Sequence, residues 1–308
     1  MCLFKVIDRI QERTPCTAVQ YRIRRMLKED IDSELFDGFY HSKWVELLKA
    51  HQYDDGGYGR FHSRNSKIKQ KFPTTECAVD SMKMLDLQRG NLLVDKLCGY
   101  MEEVLKGGIE WPDGFEKNKW YRSAQPLFVA SKLSIFGSKC KEFFSIFNCW
   151  HTILKETFAD GEYNRERANK TAKELLGCDI EGSYIGLNSI YLIEFFANMQ
   201  AEIDDALKQN YLKWLHYSGE KIGYTRVILN QGFNNNFSEL YKVYFLLSKF
   251  PCFKTEFEKE LSILIDKRDQ EGFWNFGKNF LCQKLSDDWR SQEKMKIDQT
   301  IMILLLYL

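Results

Sequence analysis

Proline is scarce in this sequence, five in 308 residues, and stretches in which apolar and polar residues strictly alternate are few. The first lack leaves long segments free to be helical, and the second removes the signature of half-buried strands. Nine cysteines (Cys2, Cys16, Cys77, Cys98, Cys140, Cys149, Cys178, Cys252 and Cys282) form no Cys-x-x-Cys pair and no zinc-finger spacing. Scattered singly among apolar neighbours, they read as small hydrophobes in a reduced compartment. Neither sign of charge dominates: 44 Lys and Arg stand against 43 Asp and Glu, for a formal +1, so no bulk field points to nucleic acid or an anionic membrane. Long apolar runs are also missing. MCLFKVIDRIQERT is interrupted by charges and IMILLLYL is eight residues long, which predicts no transmembrane segment and a soluble, cytoplasmic protein.

What is present is apolar material in helical register. With 44% hydrophobic and 15% aromatic residues, the chain has enough for one large core, and the expectation is a single domain spanning 1–308. Glycine clusters recur as DDGGYG, PDGF, ADGEY, EKIGY and QEGFW, at intervals of roughly fifty to sixty residues, the length of two helices with their connections. Each follows an amphipathic segment (KWVELLKAHQ, KLCGYMEEVLKG, FNCWHTILKETF, DALKQNYLKWLHYS, FEKELSILIDKRD) and precedes, after a loop, a more uniformly apolar one (TTECAVDSMKML, RSAQPLFVASKLSIF, LNSIYLIEFFANM, FSELYKVYFLLSKF, DQTIMILLLYL). CLFKVIDRIQER and CTAVQYRIRRML make one more pair. Six hairpins whose second members are apolar almost all round bury those faces by closing into an (α/α)6 toroid, the last hairpin packing on the first.

Gln52, Gly56, Gly57 and Tyr58, and again Gln270, Gly272 and Trp274, resemble the QW motif of the terpenoid cyclase and protein prenyltransferase superfamily, whose domains are α/α barrels. The resemblance covers two short stretches, with echoes at Gly114, Gly161 and Gly223. It implies a structural role: the Gln braces the outer helix to the next repeat, and the aromatic packs on it. It further implies a funnel suited to an isoprenoid diphosphate or another apolar ligand. The family's proton-donating DxDD is not present. Lys296-Ile297-Asp298-Gln299-Thr300 keeps the middle Asp and the following Thr, making Asp298 the candidate acid, with an ordinary helix cap as its other reading. Glu202-Ile203-Asp204-Asp205 begins an outer helix, and Asp287-Asp288-Trp289-Arg290 lacks the third acid of a DDxxD metal site. His41, His51, His62, His151 and His216 pair with no cysteine at ligand spacing, so no metal or other cofactor is assigned.

Two loops are rich in binding side chains. Arg60, His62, Arg64 and Lys67 suit an anionic group, and Glu76 stands beyond them in the same stretch. Trp111, Trp120 and Tyr121 suit a ring or a carbocation, with Asp113 and Arg122 in the same loop. Asp55, Glu76, Asp113 and Asp160 are the carboxylates for the alternative reading, a carbohydrate-active (α/α)6 hydrolase or lyase, which needs two acids across one bond. Helix and turn capping is the competing role for each. A non-catalytic scaffold binding a small molecule or peptide is the third reading.

Overall fold

A computed structural model of the chain describes residues 3–65, 67, 69–114, 119–180, 182–232, 237–278, 280 and 284–307. Cys2, Phe115 of the PDGF cluster, Cys282 and Leu308 lie outside them. The described residues are all-helical, without strands. In chain order the helices are α1 Leu3–Arg13, α2 Thr17–Leu27, α3 Ser33–Tyr40, α4 Lys43–His51, α5 Thr75–Leu85, α6 Leu92–Lys106, α7 Tyr121–Leu133, α8 Lys141–Thr157, α9 Arg165–Leu176, α10 Ile190–Asn198, α11 Asp205–Tyr217, α12 Phe237–Leu247, α13 Phe253–Glu256, α14 Glu258–Asp266 and α15 Gln292–Leu304. No described helix is long and apolar enough to cross a membrane.

Local chemistry sets the boundaries. Asp32, Thr74, Asn164, Asp204 and Ser291 each accept a hydrogen bond from the backbone N–H three residues on, satisfying a donor that the first turn leaves open. Asp204 therefore caps α11, as its place before an outer helix predicted. The second members of the pairs are the more thoroughly buried, as their composition predicts: seven of the nine residues of α10 are buried, against Leu261 and Leu264 alone in α14. Two helices, α3 and α9, have no counterpart among the pairs read from the sequence. The second, RERANKTAKELL, leaves Leu175 exposed and Leu176 half-buried and buries only Ala168 and Ala172. Spaced four apart, these let its backbone lie close against α8.

The chain divides into two compact units: Met1–Arg60, Arg64–Asp95 and Lys259–Leu308 in one, Phe61–Ser63 and Lys96–Glu258 in the other. In the first unit, segments from both ends of the sequence meet. Arg9 donates to the Glu271 carbonyl at 2.6 Å, Arg13 pairs with the Glu271 carboxylate at 2.5 Å, and the buried Trp44 indole donates to the Ser286 carbonyl at 3.0 Å. Asp86, in the left-handed conformation at φ 58°, ties the end of α5 to α2 by accepting from Arg22 and Arg25 at 3.1 and 2.8 Å.

The first unit also contains two corners built alike. Tyr53 N–H donates to Gly57 O and Gly56 N–H to Tyr53 O, both at 2.9 Å; Asp269 N–H donates to Phe273 O and Gly272 N–H to Asp269 O, again at 2.9 Å. Gly56 and Gly272 share φ of 93° and 90°, a conformation that disfavours side chains. Tyr58 and Trp274 are fully buried, bond the carbonyls of Leu48 and Leu264 through ring O–H and N–H, and donate their backbone N–H to Thr75 and Thr300 hydroxyls at 3.1 Å. Gln52 braces as the motif implies, donating to Gly56 O at 3.0 Å and Leu93 O at 2.9 Å. Gln270 does not. It is exposed, because the hydrogen-bond register aligns it with Asp54 and puts Arg268 in the place of Gln52. Arg268 Nε instead donates to Ile265 O, with its guanidinium 5.8 Å from the Trp274 ring.

In the second unit α7, α10 and α12 pack side by side, α8 packs against α7 and α9, and α11 packs against α13.

Candidate functional site

The two acids most prominent in the sequence are both structural acceptors. Asp298 is fully buried near the middle of α15, not at its start, so it caps no helix. Its carboxylate accepts from Leu285 N–H at 3.0 Å, Ser286 N–H at 3.0 Å, the Ser286 hydroxyl at 2.5 Å and the Trp289 indole at 2.6 Å. Burial pushes this carboxyl above its ordinary range, and the bonds from Ser286, Trp289 and Leu285 oppose that shift. Asp113 does the same work in the second unit: it accepts from the backbone N–H groups of Phe61, His62 and Ser63 at 3.0, 3.0 and 2.7 Å and from the Ser63 hydroxyl at 2.6 Å. Backbone amides and an indole only donate, so the carboxyl oxygens serve as acceptors at both sites. Asp55, exposed, accepts from Gly57 N–H at 2.8 Å in a turn. Glu76 lies half-buried in the first turn of α5, and exposed Asp160 is bonded to Arg167.

Asp113 delivers His62 into an aromatic cluster. The imidazole lies over Phe128 of α7 with centroids 4.7 Å apart and meets Tyr191 and Tyr224 edge-on at 5.8 and 5.5 Å. His62 Nδ1 and the Tyr191 hydroxyl are hydrogen-bonded at 2.8 Å; the phenol donates when the ring proton is on Nε2. Tyr191 packs on Phe128 at 4.2 Å, and Tyr184 joins Phe128, Tyr224 and Trp120. Tyr224 is 44% exposed and stands at φ 63°, costly for a side chain of this size. The preceding Gly223 lies close against Ser189: a Cβ there would come within 3.2 Å of Ser189 Cα, because Gly223 N–H donates to Asn188 O and Gly223 O accepts from Ile190 N–H.

Beneath these rings lies a buried ion pair that joins α7 to α10. Lys132 Nζ is 2.9 Å from the Glu194 carboxylate, with side chains 10% and 5% exposed, and the Ser131 hydroxyl donates to Glu194 at 3.3 Å. The same ammonium lies 6.0 Å from the Tyr191 ring. Removing either charge would strand the other in a low dielectric, so the pair fixes how the two helices register.

The second unit also holds a cavity of about 280 Å³, lined in part by Ile180, Gly182, Ser183 and Gly186. Tyr163 and Trp214 border it, stacked with centroids 4.4 Å apart, together with Asn169, Asn188, Glu220 and Lys221. Asn188 Nδ2 donates to Glu220 and to Lys221 O, and Asn169 Oδ1 accepts from Ile180 N–H.

The remaining predicted residues fall as follows. Trp111 packs on Phe61 at 5.3 Å, so the two loops singled out by sequence meet through Asp113 and these rings. Trp120 donates to Asp179 O at 2.9 Å, Tyr121 approaches Gly114 O at 3.5 Å, and Arg122 is exposed. Arg60, half-buried, and Arg64, exposed, belong to the first unit, apart from His62. Sequence reasoning passed over Phe128, Tyr184, Tyr191 and Tyr224, and the Lys132–Glu194 pair. One signal for the pair was available: a lone Lys in VASKLSIF and a lone Glu in YLIEFFA, each inside an apolar helix. Among the described residues, no three His, Cys, Asp or Glu side chains are arranged to hold a metal. Compared with protein-family models, curated proteins and solved structures, the chain matches none.

Proposed function

We propose that the chain is an α/α toroid of the terpenoid cyclase and prenyltransferase kind that binds an apolar, isoprenoid-like ligand without protonating it. Two observations support the ring: the second helices α7, α10 and α12 lie side by side, and the last hairpin bonds the first through Glu271 and the second through Ser286. The observation that carries the binding role is the fate of the acids. Asp298 and Asp113 accept from loop amides, and the His62 cluster, in the second unit with Asp113, presents the exposed Tyr224 ring beside a half-buried imidazole. Such a face suits polyene chains and cationic groups.

The test is calorimetric titration of the full chain with geranylgeraniol, geranylgeranyl diphosphate and a neutral oligosaccharide. Binding of the isoprenoids, weakened at least tenfold in Tyr224→Ala and His62→Ala, is expected. Turnover of a polysaccharide that disappears in Asp113→Asn at unchanged stability would instead establish the glycosidase reading.

A further inference from the structure

Three lysines from three separate segments of the first unit converge on one indole. The ammonium groups of Lys43, Lys71 and Lys284 lie 5.3, 4.7 and 5.9 Å from the Trp44 ring. The ring itself is fixed by its bond to Ser286 O. Like charges gathered this closely repel, and a folded protein ordinarily sets a carboxylate among them. None is placed here. Among the described residues no Asp or Glu forms an ion pair with any of the three; the nearby Asp288 is taken by Arg290 at 3.1 Å, and Lys43 donates at 2.7 Å to the backbone carbonyl of Asp287. Lys71 and Lys284 keep all three of their donors.

We propose that Lys43, Lys71 and Lys284, gathered on the Trp44 ring, form a binding site for a phosphate-type oxyanion of two or more charges, a phosphate monoester or a diphosphate. The attraction of the indole face holds the ammonium groups near one another while leaving their N–H donors outward. Lysine suits such a ligand as a compact point charge. Burial, and then Lys284 and Lys43, lower the Lys71 ammonium from its usual value, which shows that the three feel one another. Lys67 and Lys69, exposed on the loop that carries Lys71, extend the positive field. The site uses no residue of the His62 cluster and does not rest on the isoprenoid reading.

Inorganic diphosphate is the probe, titrated calorimetrically into the full chain at low and moderate salt. Expected is saturable binding that Lys71→Gln and Lys284→Gln each weaken at least fivefold, each also making the affinity less sensitive to salt. Lys170→Gln, an exposed position on α9, is expected to change nothing. Both site variants keep their fold, because each removes a repelling charge, and a melting curve checks this. Affinity unchanged in folded Lys71→Gln and Lys284→Gln, or no binding at millimolar diphosphate, overturns the proposal. A second arm uses phosphatidylcholine vesicles containing a phosphoinositide. Lysine-dependent sedimentation supports the site and gives the oxyanion a lipid source; diphosphate binding without sedimentation supports it and gives a soluble one.

Discussion

A carboxylate in this chain is best read by what donates to it. Asp298 looks like a proton donor by its neighbours in sequence, yet four groups that can only donate or prefer to donate converge on its two oxygens. Asp298→Asn would turn an amide N–H₂ toward those donors, leaving buried polar groups unmatched, and should cost ~3 kcal/mol of folding stability. Asp113→Asn, less buried, should cost about 1–2 kcal/mol by the same route. Urea titration of both variants is the check, and a Asp298→Asn protein as stable as the parent would refute the role as a loop brace. Neither arrangement was legible in the sequence. The donors of Asp298 lie 9 to 13 residues upstream and those of Asp113 about fifty, so only the folded path of the loops brings them together. The lysines on Trp44 were hidden for the same reason.

At the scale of elements the reading went further. Amphipathic and apolar helices alternate where composition placed them, and the glycines mark the corners, because periodicity and positive φ are local properties. The misses have physical causes. α9 buries two alanines alone and thus carries no apolar stripe to find. In QEGFW the match to Gln was made by letter, whereas the corner is defined by backbone bonds that put Arg268 in register with Gln52. This second corner predicts an acid response. Arg13 first, then Lys296, hold the Glu271 carboxyl down at about 2. In the unfolded chain it titrates at its ordinary 4.5, so its contribution is whole above that pH and is lost as pH falls from there toward 2. Glu271→Gln should therefore flatten the stability curve over that interval and leave little change of slope above it. Denaturation midpoints between pH 2 and 6 measure this; because the group is exposed, the effect should shrink in high salt.

For the molecule as a whole, the first unit draws on residues that are far apart in sequence: Arg13 and Glu271 are separated by 258 positions. Closing so long a loop is slow relative to local helix formation, and the contacts that reward it form late. Trp44→Phe removes the indole donor to Ser286 O without emptying the site. It should raise the unfolding rate several-fold while changing the folding rate less than twofold, as stopped-flow chevrons would record. A folding limb slowed in proportion to the lost stability would place this contact in the nucleus instead.

The same long-range union has a consequence during synthesis. Residues 9 and 13 emerge from the ribosome well before residue 271 exists, and at ordinary elongation speeds the wait is ~10–50 s. Through that interval Arg9, Arg13 and Trp44 lack their final partners, Glu271 and Ser286. Nascent chains of this protein should therefore be clients of holding chaperones until residues 271 and 286 have emerged.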